Sequence, residues 1–146
     1  MMEKSLLIPK VLLTICAMEF FGPIVRDSGH SHLINVEWVG HARVHLAWLL
    51  GFMGLSGVVN LWFIWRDSES KVRDLQLSAL WQGCNLFGFW IAVAFVGAYE
   101  GAIIDPKHHH LIFGIDENIF AFSILTSFWA AATLSLKKHG GAGLAI

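Results

Sequence analysis

From Val44 to Trp65 the chain carries no charged side chain. A helix crosses the hydrocarbon core of a bilayer in roughly 20 residues. An uncharged run of this length is therefore long enough to span a membrane and too long for a single core strand. Three further apolar blocks flank it. The first runs from Leu6 to Val25, with Pro9 near its start, Gly22-Pro23 near its end and Glu19 inside it. The third runs from Leu75 to Ile104, uncharged as far as Tyr99, with Glu100 near its end. The fourth begins at Leu111 or Phe120, depending on where Asp116 and Glu117 lie, and ends at Leu136. No barrel-length alternation is present, and only helices or closed barrels satisfy their backbone in lipid. The expected fold is an all-α integral membrane four-helix bundle, multi-pass, with helices at about 6–25, 43–65, 75–104 and 111–136 in one domain over 1–146.

Composition agrees. The chain is 55% hydrophobic and 14% charged, with mean hydropathy +0.59; a soluble domain carries about 25% charged residues. A formal net charge of −1 gives no basic surface for nucleic acid. Cys16 and Cys84 fall inside apolar blocks and read as small packing residues. Lys10 and Glu19 interrupt the first block, so it reads as a retained span rather than a signal peptide. The tail Gly140-Gly141-Ala142-Gly143 reads as a flexible end.

Basic residues mark the cytoplasmic side of a membrane protein. Lys4 and Lys10, the loop bases Arg66, Lys71 and Arg73, and the tail bases Lys137 and Lys138 outnumber Arg26, Arg43 and Lys107 of the other two loops. Both termini and the second loop are thus expected inside, and the first and third loops outside. That topology gathers His30, His32, His41, His45, His108, His109 and His110 in or beside the two outer loops, leaving His139 opposite. Asp27, Glu37, Glu100, Asp105, Asp116 and Glu117 join them.

Clusters of histidine and carboxylate mark metal or proton-handling sites. His41 and His45 share one face if the second helix begins near Gly40, a spacing that suits one metal ion. Ala42 stands where a zinc protease needs glutamate, which excludes that enzyme class. The expected metal ligands are His32, His41, His45, Asp27 and Asp116. Such a nitrogen and carboxylate set suits a divalent metal ion (iron, zinc or manganese) over copper(I). Of His108, His109 and His110, at most one or two can turn inward, because adjacent side chains diverge. Arg43 would hold a substrate anion, pair with Asp27, Glu37 or Asp116, or snorkel to lipid phosphate. Glu19 and Glu100 lie at or near membrane depth, where ionisable groups face the bundle interior or a water cavity. They are the expected proton carriers, Glu19 roughly 10 Å below the outer helix end. Asn60 and Asn85 are expected to bond between helices, and Trp90 and Trp129 to line an apolar pocket.

The stretch from Asp27 to His45 resembles an uncharacterised family of small four-helix membrane proteins of fungi and bacteria. The likeness rests on Asp27, His32, Asn35, Trp38, His41-Ala42-Arg43 and His45, and on Asp105-Pro106 after the third block. Val36 and Gly40 stand where the family pattern has prolines. The resemblance implies four helices and singles out His32, His41 and His45 over His30; it brings no activity.

Two functions are in contention. One is a metal-dependent enzyme, an oxidoreductase or a Lewis-acid catalyst, acting on a lipophilic small-molecule substrate at the outer face. The other is a non-enzymatic subunit binding metal, haem or quinone. A transporter fits less well, because the inner half carries little polarity beyond Asn60, Asn85 and Gln82. Membrane lipid is the expected surrounding, nucleic acid is not a partner, and a homo-oligomer or larger membrane complex stays open.

Overall fold

The computed structural model describes residues 6–140; Lys4 and the Gly141-Ala142-Gly143 end of the tail lie outside them. It has four helices long and apolar enough to cross a membrane: Leu7–Asp27, Gly40–Trp65, Lys71–Ala94 and Glu117–His139. The first is two helices in one span, α1 (Leu7–Cys16) and α2 (Met18–Asp27), interrupted at Ala17. Then come α3 (Gly40–Trp65) and α4 (Lys71–Ala94), a 3-10 turn at Val96–Tyr99, a hairpin of β1 (Leu111–Ile112) and β2 (Ile115–Asp116), and α5 (Glu117–Gly140).

α1 buries Pro9, Leu13 and Cys16, one helical stripe, and packs chiefly against α5. α2 buries Glu19 and Phe20 and packs chiefly against α3. The first span therefore leans from one neighbour to the other along its length. Pro23 contributes, since it has no N–H to return to the Glu19 carbonyl. The lean leaves a wedge between α2 and α5.

Leu13, Ile64, Leu75, Ala79, Ala132 and Leu136 form the core, with Trp129 packed against it. Beneath the apolar contacts lies a polar network. Ser78 Oγ donates to Asn60 Oδ1 at 2.7 Å, and Asn60 Nδ2 donates to the Ser56 carbonyl at 2.9 Å. Gln82 Nε2 donates to the Leu13 carbonyl at 3.0 Å and to Ser78 Oγ at 3.2 Å. Asn60 thus bonds between helices as expected, whereas Asn85 Nδ2 is buried with no hydrogen-bond partner among the described residues. Trp90 and Trp129 tie α4 to α5, donating to Thr126 Oγ1 at 2.9 Å and to the Ala79 carbonyl at 2.6 Å. The outer flanks of the bundle are apolar: Val44, Leu55, Leu80 and Leu134 are each at least 60% exposed. Exposed apolar side chains on helices long and apolar enough to cross a membrane suit lipid better than water.

Several boundaries differ from the sequence expectation: α3 begins at Gly40 rather than 43, α4 spans Lys71–Ala94 rather than 75–104, and α5 spans Glu117–Gly140 rather than 111–136. The third helix was expected to reach Ile104 but stops at Ala94. Past the 3-10 turn, Glu100 takes the left-handed conformation (φ 55°), the Gly101 N–H returns to the Val96 carbonyl at 2.9 Å and the Glu100 N–H to that of Gly97 at 3.5 Å. That double bond pattern caps the 3-10 turn and keeps the helix from resuming toward Ile104. The fourth helix begins at Glu117, neither at Leu111 nor at Phe120, because Asp116 Oδ1 accepts the N–H groups of Asn118 (2.9 Å) and Ile119 (3.3 Å). The preceding hairpin turns on Phe113 (φ 53°) and Gly114 (φ 80°), both left-handed, as a two-residue type I′ turn requires.

At the other end of the bundle, Arg66 pairs with Asp74 through two nitrogens, Nε at 2.8 Å, and lies over the Trp62 ring at 4.2 Å. Lys71 bonds the Arg66 carbonyl. This set fastens the short α3–α4 loop. The bidentate bond to Asp74 holds the Arg66 guanidinium above even its ordinary high pKa.

Candidate functional site

The wedge between α2 and α5 is a cavity of about 600 Å³. Met18, Glu19, Gly22, Pro23, Arg26 and Asp27 line one side; Glu117, Asn118, Ala121, Phe122 and Leu125 line the other. Phe89 of α4, stacked on Phe122 at 3.8 Å, and His32, His109 and Ile112 complete the lining.

The lining residues are organised in pairs. His109 Nδ1 lies 2.8 Å from Asp116 Oδ2, and both side chains are nearly buried, at 11% and 3% exposure. A carboxylate only accepts, so Nδ1 carries the proton and Nε2 is left free. Asp116 serves two groups: one oxygen caps α5 and the other holds His109. His32 Nδ1 lies 3.5 Å from Asp27 Oδ1 and 3.0 Å from Ser31 Oγ, its ring edge-on to Trp38. Arg26 bonds Glu117 Oε1 at 2.5 Å and the His108 carbonyl, which staples α2 to the third loop and to the start of α5. The loop before the hairpin has its own lock: Asp105 accepts from His108 Nδ1 at 2.7 Å and from the Lys107 N–H at 2.9 Å. Those two donors hold the Asp105 carboxyl below the usual carboxylate range.

Glu19 differs from these. It is 2% exposed, and neither carboxylate oxygen has a hydrogen-bond partner among the described residues. An uncompensated polar group in an apolar wall costs several kcal/mol, of order 2–7 for a neutral one and more when charged. Asn85, its own Nδ2 buried without a partner at hydrogen-bond distance, is the side-chain donor beside Glu19, so the two form an incompletely satisfied polar pair at the cavity wall, which a donor from outside the chain would complete.

The expected site residues separate into two groups. Glu19, Asp27 and His32 line the cavity, and Asp116 stands behind His109 at its edge. His41 and His45 are exposed on α3 and do not line it; their Nε2 atoms lie 3.0 Å apart, with His45 beside Trp48. Arg43, between them, has its Nε buried with no hydrogen-bond partner among the described residues and no ion pair with Asp27, Glu37 or Asp116. Glu100 is exposed at the C-cap, outside the cavity. Among the described residues, no group of three or more His, Cys, Asp or Glu side chains is placed to hold a metal ion together.

Sequence reasoning passed over Arg26 and did not choose among the three adjacent histidines. A signal for Arg26 was present: Glu19 and Arg26 are seven apart, two helical turns, so they share a face of an otherwise apolar helix. The choice of His109 had no such signal, since it depends on the hairpin that turns its ring toward Asp116. Searches against protein-family models, curated proteins and solved structures return no match.

Proposed function

We propose that the chain is a membrane-embedded enzyme that draws a lipophilic small molecule into the wedge and carries out proton transfer on its polar end. The observation that carries this reading is one cavity bordered by both a carboxylate-held imidazole, His109 on Asp116, and an unpartnered buried carboxylate, Glu19. An imidazole with Nδ1 fixed by a carboxylate has the orientation of a general base or acid at Nε2. Phe89, Phe122, Leu125 and Met18 supply apolar wall for the rest of the substrate. Arg26, bonded to Glu117, ties the end of α2 to the start of α5 across the edge of the cavity.

A metal-dependent form of the same enzyme has its own supporting observation. Metal-ligating histidines donate their other nitrogen to a carboxylate or similar acceptor, and here His109 Nδ1 is held by Asp116 in that way, while His32 Nδ1 bonds Ser31 Oγ with Asp27 at 3.5 Å. In that form His32 and His109 would hold a divalent iron, zinc or manganese ion, which would supply Lewis-acid or redox chemistry; His41 and His45 do not line the cavity.

The test is comparative. Wild-type protein and His109→Asn, each in nanodiscs, would be incubated with lipophile extracts of membranes, and the products compared by mass spectrometry. A product made only by the wild type supports the enzyme. Absence of any product, with a lipophile still retained in the cavity, would instead favour a non-enzymatic quinone- or haem-binding subunit. Elemental analysis decides the metal: an ion lost in a His32→Ala/His109→Ala double variant but kept in His41→Ala/His45→Ala belongs to the cavity.

A further inference from the structure

The charge lining the wedge is one-sided. Its carboxylates are Glu19, Asp27 and Glu117, and the one fixed cation among the described lining residues is Arg26. Arg26 is already committed to Glu117 at 2.5 Å and to a backbone carbonyl. Asp27 faces His32. Glu19 is left with two oxygens that have no partner at hydrogen-bond distance among the described residues, with Asn85 beside it and almost no solvent.

We propose, building on the cavity reading above, that the wedge selects lipophilic molecules with a cationic head, long-chain amines being the class, and that Glu19 is the counter-ion. A hydrogen bond between an ammonium and a carboxylate is roughly twice as strong as a neutral one, and away from water the difference grows. A lipophilic acid would instead set a second carboxylate beside Glu19 with no free cation to offset it. Depth fits the class as well. Glu19 lies two turns, about 10 Å, below Arg26 and the outer end of α2, so a head that reaches it leaves the tail within the membrane layer. The tail has somewhere to go. A second cavity of about 380 Å³ shares Pro23, Asp27, Phe89 and Phe122 with the first, and adds the apolar walls Leu49, Phe52 and Met53.

The experiment uses the full chain in phosphatidylcholine nanodiscs, with empty nanodiscs as the partition control. Saturable binding of radiolabelled dodecylamine, dodecanol and dodecanoate is measured for wild type, Glu19→Gln and the inner-loop control Glu69→Gln. The expected result is dodecylamine bound at least about tenfold more tightly than dodecanol, the fold-change of one charge-assisted bond, with dodecanoate weakest. Glu19→Gln brings the amine to the alcohol's value and leaves the alcohol within about threefold, while Glu69→Gln keeps the wild-type ranking. Equal binding of amine and alcohol by the wild type, or a preference that survives Glu19→Gln, overturns the selection and leaves the cavity reading intact. No saturable binding of any of the three overturns both. Should Glu19→Gln not fold, the wild-type ranking of the three heads decides alone.

Discussion

The network around Asn60 allows the sharpest prediction of stability. Asn60→Leu keeps the side-chain volume and removes three interactions: the bond from Ser78 at 2.7 Å, the one to the Ser56 carbonyl at 2.9 Å, and a long one from Gln82 at 3.5 Å. Interhelical polar contacts in membranes average about 0.6 kcal/mol, so the Ser78 bond contributes about that much, and the bond to the Ser56 carbonyl, within α3 itself, adds a few tenths. The Ser78 hydroxyl is then left without its acceptor in a dry core, a further cost of about 1–3 kcal/mol. That cost falls if the hydroxyl turns back to its own helix carbonyl. The expected total is about 2–3 kcal/mol. Gln82→Leu behaves differently. It removes an orphan, since Gln82 Oε1 has no partner, and the Leu13 carbonyl still accepts the Ala17 N–H at 2.9 Å. Its expected cost is below about 1 kcal/mol. Reversible unfolding in mixed micelles, read by circular dichroism, measures both. In the double variant Asn60→Leu/Ser78→Ala the orphaned hydroxyl is gone, so the pair should cost about 1 kcal/mol less than the sum of the singles. Strict additivity, or Gln82→Leu costing more than Asn60→Leu, would refute the assigned bonds.

Three other outcomes are expected. At the α3–α4 loop, Arg66→Ala should lower the melting temperature more than Asp74→Ala, because losing Arg66 strands a carboxylate with 3% of its side chain exposed, whereas a stranded Arg66 keeps 31% exposure to water. At the third loop, Asp105 has its pKa lowered on folding. Its stabilising contribution is therefore complete above the unfolded value near 3.9 and is lost as pH falls through the lower folded value; amide exchange over the Asp105–His109 loop should rise below about pH 4, and Asp105→Asn should abolish that rise. In the hairpin, Phe113 holds a left-handed backbone with 90% of its surface exposed, so Phe113→Asn should stabilise by about 0.5–1 kcal/mol in thermal unfolding.

What the sequence made legible was set by length and hydropathy. An uncharged run without alternation such as Val44–Trp65 suits a spanning helix and not a barrel strand in lipid, and the helix there agrees with it. The His41–His45 pair was legible too, since a four-residue spacing places both rings on one face wherever the helix goes. Which face that is depends on how α2 docks on α3, and no local pattern carries that information. The break at Ala17 was hidden for a related reason: alanine is a good helix former, and the break comes from two halves of one span packing on different neighbours. Arg26 and Glu117 are 91 residues apart in sequence and meet only because the hairpin and the wedge bring them together. The capping at Asp116 was visible as an acidic residue before an apolar block, but the expectation of a metal ligand there competed with it.

The interruption at Ala17 has a mechanical consequence. α1 is fastened by the Gln82 bond to the Leu13 carbonyl and by full burial of Leu13 and Cys16, while α2 beyond it lacks the helical bond that Pro23 removes. The outer half is then a lever pivoting on an anchored base. α2 is about 15 Å long, so a swing of about 10° at the pivot carries its tip roughly 2.5 Å. The Arg26–Glu117 pair is the latch at that tip, and its release would widen the wedge sideways, toward the membrane layer, without disturbing a single contact of the polar network below.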